Sequence, residues 1–222
     1  MSQPQQLVFD LPHLEAFEAE DFLVSQCNQS AVDMIDSWPD WPAHAIVICG
    51  AAGSGKSHLV SVWRERSGGD VVGMGDVTTT TVSRFQETGR LAVEDVAPGG
   101  DPNAERLVFH LLNAARESKG QILITTQRPP GELEIALPDL RSRLRALPIA
   151  EIQPIDDALL SGLLVKLFSD RQLAIDPGVI KYLMRHMERS AQAAREIVER
   201  IDRLALATHR TVTRVLAAEA LK

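Results

Sequence analysis

Apolar and polar positions along this chain follow two periods, and the switches between them mark out its elements. Ala45-Ile46-Val47-Ile48-Cys49 is an unbroken apolar run, the pattern of a strand buried on both faces. Arg90 to Asp95, Gln121 to Thr126 and Pro148 to Ile152 also read as strands, and Asp70-Val71-Val72-Gly73-Met74 gives a shorter one. Between them the period lengthens. Leu107, Val108, Leu111, Leu112 and Ala115 fall on one stripe of a helix predicted over Pro102 to Lys119, and His58 to Arg64 opens a helix just after the first strand. Ala31, Met34, Ile35 and Trp38 share a face of a helix from Asn28, a suitable N-cap, to Trp38, where Pro39 and Pro42 stop it. Thr78 to Phe85 suggests a loop and a brief helix, and Leu137 to Leu147 another short element.

Strands alternating with helices predict an α/β fold, a parallel five-stranded sheet flanked by helices. After Gln153-Pro154 the strand pattern stops. Asp156 caps a helix reaching about Leu173, Asp176-Pro177 one reaching Met187, Ser190 one reaching Thr208, and Thr211 to Leu221 makes a last short helix. The predicted organisation is a flexible arm over 1–12, an α/β base over 13–153 and a small all-α domain over 154–222.

Composition narrows the function. The 222 residues are 45% hydrophobic and 24% charged, an ordinary globular balance. Thirty acidic against 23 basic residues give a net charge of -7, which disfavours a domain that grips DNA alone and points to protein partners. Cys27 and Cys49 are too few for a disulfide framework and read as apolar filler, and six scattered histidines show no zinc spacing. No apolar run of about eighteen residues occurs, and Met1 to Gln6 lacks the basic start of a signal peptide, so no membrane association and a cytoplasmic location are predicted.

The chemistry centres on Gly50-Ala51-Ala52-Gly53-Ser54-Gly55-Lys56-Ser57, a GxxxxGK[ST] loop placed between strand and helix. Glycines let backbone N–H groups turn inward on a phosphate, and the new helix adds its positive end. Lys56 is expected to reach the β and any γ phosphate and Ser57 to place its hydroxyl on Mg²⁺, with ATP or ADP as ligand. The third strand ends in Glu94-Asp95, where such folds hold Mg²⁺ and orient the attacking water; the bland alternative is a solvated strand end. Thr126 and Gln127, past the fourth strand, are weaker candidates for the γ phosphate. Arg141, Arg143 and Arg145 alternate on a short element, a pattern that is usually just a solvated face. Arg195 follows the small run Ala191-Gln192-Ala193-Ala194 and reads as a surface arginine or a phosphate ligand. In the arm, Gln6, Leu7, Phe9 and Leu11 suit an extended segment that docks by a directional amide and apolar side chains.

A phosphate-loop α/β domain followed by a small helical lid resembles the AAA+ ATPases. Gly55-Lys56-Ser57-His58-Leu59, Asn28, Leu140-Arg141-Ser142-Arg143-Leu144 and Ala194-Arg195-Glu196 look like the replication initiator DnaA, from about Phe22 onward. The sequence ends at Lys222 without the helix-turn-helix domain of DnaA, and Gln6-Leu7-Val8-Phe9-Asp10-Leu11 is similar to a clamp-binding hexapeptide, departing from it at Phe9 and Asp10. Together these resemble the Hda family of DnaA-related regulators.

The resemblance implies that Gly50, Gly53, Ser54, Gly55, Lys56, Ser57 and His58 hold the nucleotide and that Arg195 is the lid arginine that reads it. Arg143 would be an arginine finger acting on ATP bound to DnaA, and the arm would bind the DNA-polymerase sliding clamp. The outcome would be negative control of replication initiation without sequence-specific DNA binding; a homodimer is allowed. Glu94 stands where the family's metal-holding acid is usually aspartate, and Gln127 where DnaA has aspartate. The extra methylene of Glu94 displaces its carboxylate from Mg²⁺, so weak or absent hydrolysis with ADP as a structural ligand is expected. The alternative is a DnaA-like or helicase-loader ATPase acting directly on DNA. A generic phosphate-loop kinase explains neither Arg143 nor Arg195.

Overall fold

The computed structural model describes residues 22–99 and 101–222. It divides between Pro154 and Ile155 into two compact units. The first is built on β1 (Ala45–Gly50), β2 (Asp70–Gly73), β3 (Arg90–Glu94), β4 (Gln121–Thr126) and β5 (Ile149–Ile152), all parallel in the order β2-β3-β4-β1-β5. All six residues of β1 are buried. Strand alternation sends Val47, Leu91, Val93, Ile122 and Ile124 to one face and Ile46, Ile48, Ala92, Leu123 and Ile152 to the other. The first face is covered by α3 (Thr79–Thr88), α4 (Pro102–Ser118) and α5 (Pro138–Arg145), the second by α1 (Gln29–Asp36) and α2 (Lys56–Ser67).

Three local expectations change. Asn28 occupies the N-cap position of α1 but makes no capping bond; its Oδ1 accepts the Ser25 N–H at 2.8 Å and its Nδ2 donates to the Leu23 carbonyl at 2.9 Å. Its amide therefore fixes the entering loop. The threonine run yields ten residues of α3, because Thr78 and Thr81 form a reciprocal capping box that supplies the costly first turn. β3 stops at Glu94; Asp95 turns out of the ladder with φ 52°, and its N–H bonds the Thr125 hydroxyl at 3.0 Å.

The second unit is four helices: α6 (Asp157–Asp170), α7 (Pro177–His186), α8 (Ala191–Thr208) and α9 (Arg214–Ala220). Each starts on a local acceptor, Asp156, Asp176, Ser190 and Thr213 respectively. Leu160, Leu164, Phe168, Leu183, Val198, Ile201 and Leu216 form their shared core. No helix among the described residues is long and apolar enough to cross a membrane.

Candidate functional site

The phosphate loop leaves β1, between β4 and β5, at the carboxyl edge of the sheet. Gly50 is wedged there, since a Cβ on it would stand 2.7 Å from the Ser54 Oγ and 3.1 Å from the Ile152 Cβ. Gly55 caps α2 at φ 101°, a conformation L side chains avoid. Gly53 and Ser54 lie between them in the loop, and Ser57 is exposed in the first turn of α2. The Ser54 Oγ is buried and has no hydrogen-bond partner among the described residues. An unmatched hydroxyl beside a glycine-lined turn and a helix start is a donor set for phosphate oxygens.

Lys56 is buried, and its Nζ donates to the carbonyls of Gly50 and Ala51, each at 2.9 Å. The ammonium is thus stored on the loop it serves. Burial pushes its pKa below the usual lysine range, and the negative charges of Asp95 and Glu94 pull the other way. The two acids at the end of β3 therefore belong electrostatically to the lysine site. Glu94 is half-buried and Asp95 exposed. Burial pushes the Cys49 thiol up, so Cys49 is the inert filler its apolar run suggests. Thr126 is fully buried and Gln127 is exposed.

Beside this cradle stands an aromatic pair that periodicity could not reveal. The Phe22 ring lies 4.9 Å from that of His58, and a Cβ on Gly55 would meet it at 3.3 Å. Phe22 sits in an irregular segment, where no repeat singles out one apolar residue. The two rings are tilted by 55°, an edge-to-face pair that packs the flank of the loop.

Arg143 lies at the other edge. The chain leaves β4 at the carboxyl edge and α5 carries it back to the start of β5, so the last turn of α5 stands at the amino edge. There the Arg143 guanidinium stacks 5.6 Å over the Phe109 ring of α4. Its charge is felt by His44, the residue before β1: burial pushes that imidazole below its ordinary value, and Arg116 and Arg143 push it the same way. The length of β1, about 20 Å, separates this edge from the loop. Arg143 is half-exposed, and among the described residues it has no carboxylate partner. Arg145, by contrast, donates to the Gly131 carbonyl at 2.9 Å.

The structure thus brings together Gly50, Gly53, Ser54, Gly55, Lys56, Ser57, His58, Glu94 and Asp95, and sets Arg143 apart from them. Arg195 is in the second unit, half-buried near the start of α8. Gln6, Leu7, Phe9 and Leu11 lie outside the described residues.

No protein-family model matches the chain. Over 141 residues, 63% of its length, it is 28% identical to the chromosomal replication initiator protein DnaA of Thermomicrobium roseum, and the match spans 30% of that protein. Domain III of the Thermotoga maritima DnaA superposes with a TM-score of 0.79 at 19% identity, covering 92% of this chain and 95% of that one. AMPPCP-bound DnaA from Aquifex aeolicus superposes with a TM-score of 0.73 at 19% identity, covering 86% and 67%. The chain has the AAA+ fold of DnaA domain III, with a five-stranded parallel α/β sheet and a small all-α unit, and it is related in sequence to part of a DnaA.

Proposed function

We propose that the protein is a nucleotide-holding AAA+ regulator that stimulates hydrolysis of ATP bound to DnaA and so restrains replication initiation. The observation that carries this is the position of Arg143: half-exposed, without a carboxylate partner among the described residues, and a strand's length from the chain's own phosphate loop. An arginine so placed is unsuited to phosphates bound at home and suited to those of a neighbouring subunit. Its planar, always-charged fork stabilises negative charge that builds on a transferred phosphoryl group, worth roughly 10³ to 10⁵ in rate when supplied in trans.

At home, Lys56, Ser57 and the loop amides hold ADP or ATP, with Glu94 and Asp95 beside the lysine to accompany Mg²⁺. The nucleotide supplies the anion that completes the buried ammonium's environment. Hydrolysis by this chain is expected to be weak, since a glutamate stands at the metal-holding position. The segment Gln6 to Leu11 is assigned to the sliding clamp on its glutamine and apolar positions alone. In a clamp pull-down, a Gln6→Ala protein retained as well as the parent removes that assignment.

The central test follows hydrolysis of DnaA-bound ATP with clamp loaded on DNA, comparing the parent with Arg143→Ala. Loss of stimulation supports the reading; equal rates end it. The likeness to DnaA itself favours a second reading, an ATPase that acts directly on DNA. That reading requires DNA binding without partners, measured at stated salt.

A further inference from the structure

α5 begins without a cap of its own. Leu137 at the N-cap position makes no side-chain bond, and Pro138 takes the first helical position. The amides at the entrance find an acceptor in another helix. Glu105 of α4 is 2% exposed; its Oε1 accepts the Ala136 N–H at 3.1 Å and its Oε2 the Leu137 N–H at 2.7 Å. Four residues on, and so on the same face of α4, Phe109 carries the Arg143 guanidinium. One helix thus grips the other at both ends, by a carboxylate where α5 starts and by a ring where it finishes.

A cap alone does not need this arrangement. α3, α4 and all four helices of the second unit are capped by a residue at their own N-terminus. In α5 the acceptor is a buried carboxylate 31 and 32 residues away in sequence. Burying a charge is costly unless it is fully bonded, so the contact defines one register and one tilt. Those are the variables that decide where a guanidinium at the far end stands. Eight helical residues make a rod of about 12 Å, and a tilt of about 10° at its root moves the tip by about 2 Å. Misplacement of about 1 Å can cost on the order of 10²-fold in a reaction that depends on orientation.

We propose that Glu105 is the positioning residue for Arg143, an inference that rests on the trans role proposed for that arginine. Glu105 touches neither nucleotide nor partner in this account. It acts by fixing the root of α5, while Phe109 steadies the tip.

The test measures DnaA-bound ATP hydrolysis, with clamp loaded on DNA, against the concentration of the parent, Glu105→Gln, Arg143→Lys and the double variant. Glutamine keeps the shape and one carbonyl acceptor, but its amide nitrogen cannot accept the second N–H. The expected result is a maximal stimulated rate lowered by about 10- to 100-fold, with half-stimulating concentration and ADP affinity unchanged within about twofold. In the Arg143→Lys background, which keeps a cation and residual stimulation to measure, the same substitution should add much less, because both act through one group. An unchanged maximal rate, an equal fractional loss in both backgrounds, or a loss of ADP affinity in step with the rate overturns the inference. If Glu105→Gln does not fold, Glu105→Asp gives the same readings, since it keeps the charge and shortens the reach by one methylene. Indifference to Arg143→Ala removes the trans reading itself, whereas dependence on Arg143 with indifference to Glu105 removes only the positioning role.

Discussion

The two edges of one sheet are built in opposite ways. At the carboxyl edge, eight consecutive residues from Gly50 to Ser57 make the cradle, and its charge is a buried lysine resting on carbonyls of its own loop. At the amino edge, Arg143 from α5, Phe109 and Arg116 from α4 and His44 before β1 converge from separate segments. The cradle is a turn of backbone groups closed around its own lysine. The other edge presents a cation on a rigid support with its tip half-open. The phosphate loop thus lies on one edge, and on the other lies an arginine that has no carboxylate partner among the described residues, which is the separation the proposed trans role rests on.

The sharpest way to break this contrast is to cross the two edges. Arg143→Ala should lower stimulated hydrolysis by roughly 10³-fold or more while ADP affinity, read by calorimetry, stays at the parent's value. Lys56→Ala should lower ADP affinity by about 100-fold or more, since it removes a buried charge-assisted contact to phosphate. If Arg143→Ala weakened ADP binding as strongly as Lys56→Ala, the two edges would be one site, and the trans reading would fail with them.

The next test asks whether the cradle is as tightly built as it looks. Gly50→Ala forces a Cβ against the Ser54 Oγ and the Ile152 side chain, while Gly131→Ala meets nothing within 4 Å. Overpacking of this kind costs about 1–3 kcal/mol, or very roughly 2–12 °C in melting temperature at this chain length. The Gly131→Ala control should melt within about 1 °C of the parent. A Gly50→Ala protein that melted with its control and bound ADP normally would show that the loop has slack.

The contrast between edges is also the contrast in what the amino-acid sequence made legible. Strand and helix identities follow from periodicity, and the phosphate loop is contiguous, so the expected elements and the α/β AAA+ fold appear as anticipated. Strand order is a different matter: β1 lies between β4 and β5, and no local pattern encodes that. Asn28 is a capping residue type, yet its side chain ties down the preceding loop, because propensity names the position and not the partner. Phe22, Glu105 and His44 gave no signal. Each gains its place from contacts far along the chain, such as the bond from Leu137 back to Glu105, and a period of two or 3.6 carries no information at that range.

A smaller effect sharpens the description of the amino edge. Phe109→Leu keeps an apolar side chain but removes the face on which the Arg143 guanidinium rests. Cation–π contacts of this kind are worth about 0.5–2 kcal/mol, so the stimulated rate should fall by about 2- to 30-fold, with ADP affinity untouched. A Phe109→Leu protein as active as the parent would mean that α5 holds the guanidinium unaided.

The smallest effect belongs to His44. Its pKa lies below the ordinary 6.5, first through burial and then through the charges of Arg116 and Arg143. Because the folded value is the lower one, the unfolded chain takes up the proton first as pH falls. The group contributes no penalty well above 6.5, and stability declines as pH drops through 6.5 toward the folded value. His44→Gln removes that titration, so its stability should fall less than the parent's between neutral pH and the folded pKa, as read from urea midpoints at matched salt. Arg143→Ala should make the parent's decline smaller and end it at a higher pH, with the same onset near 6.5, because burial and Arg116 remain. If the decline were identical in the parent and in Arg143→Ala, the arginine's charge would not reach His44, and its tip would stand further from the start of β1 than this arrangement requires.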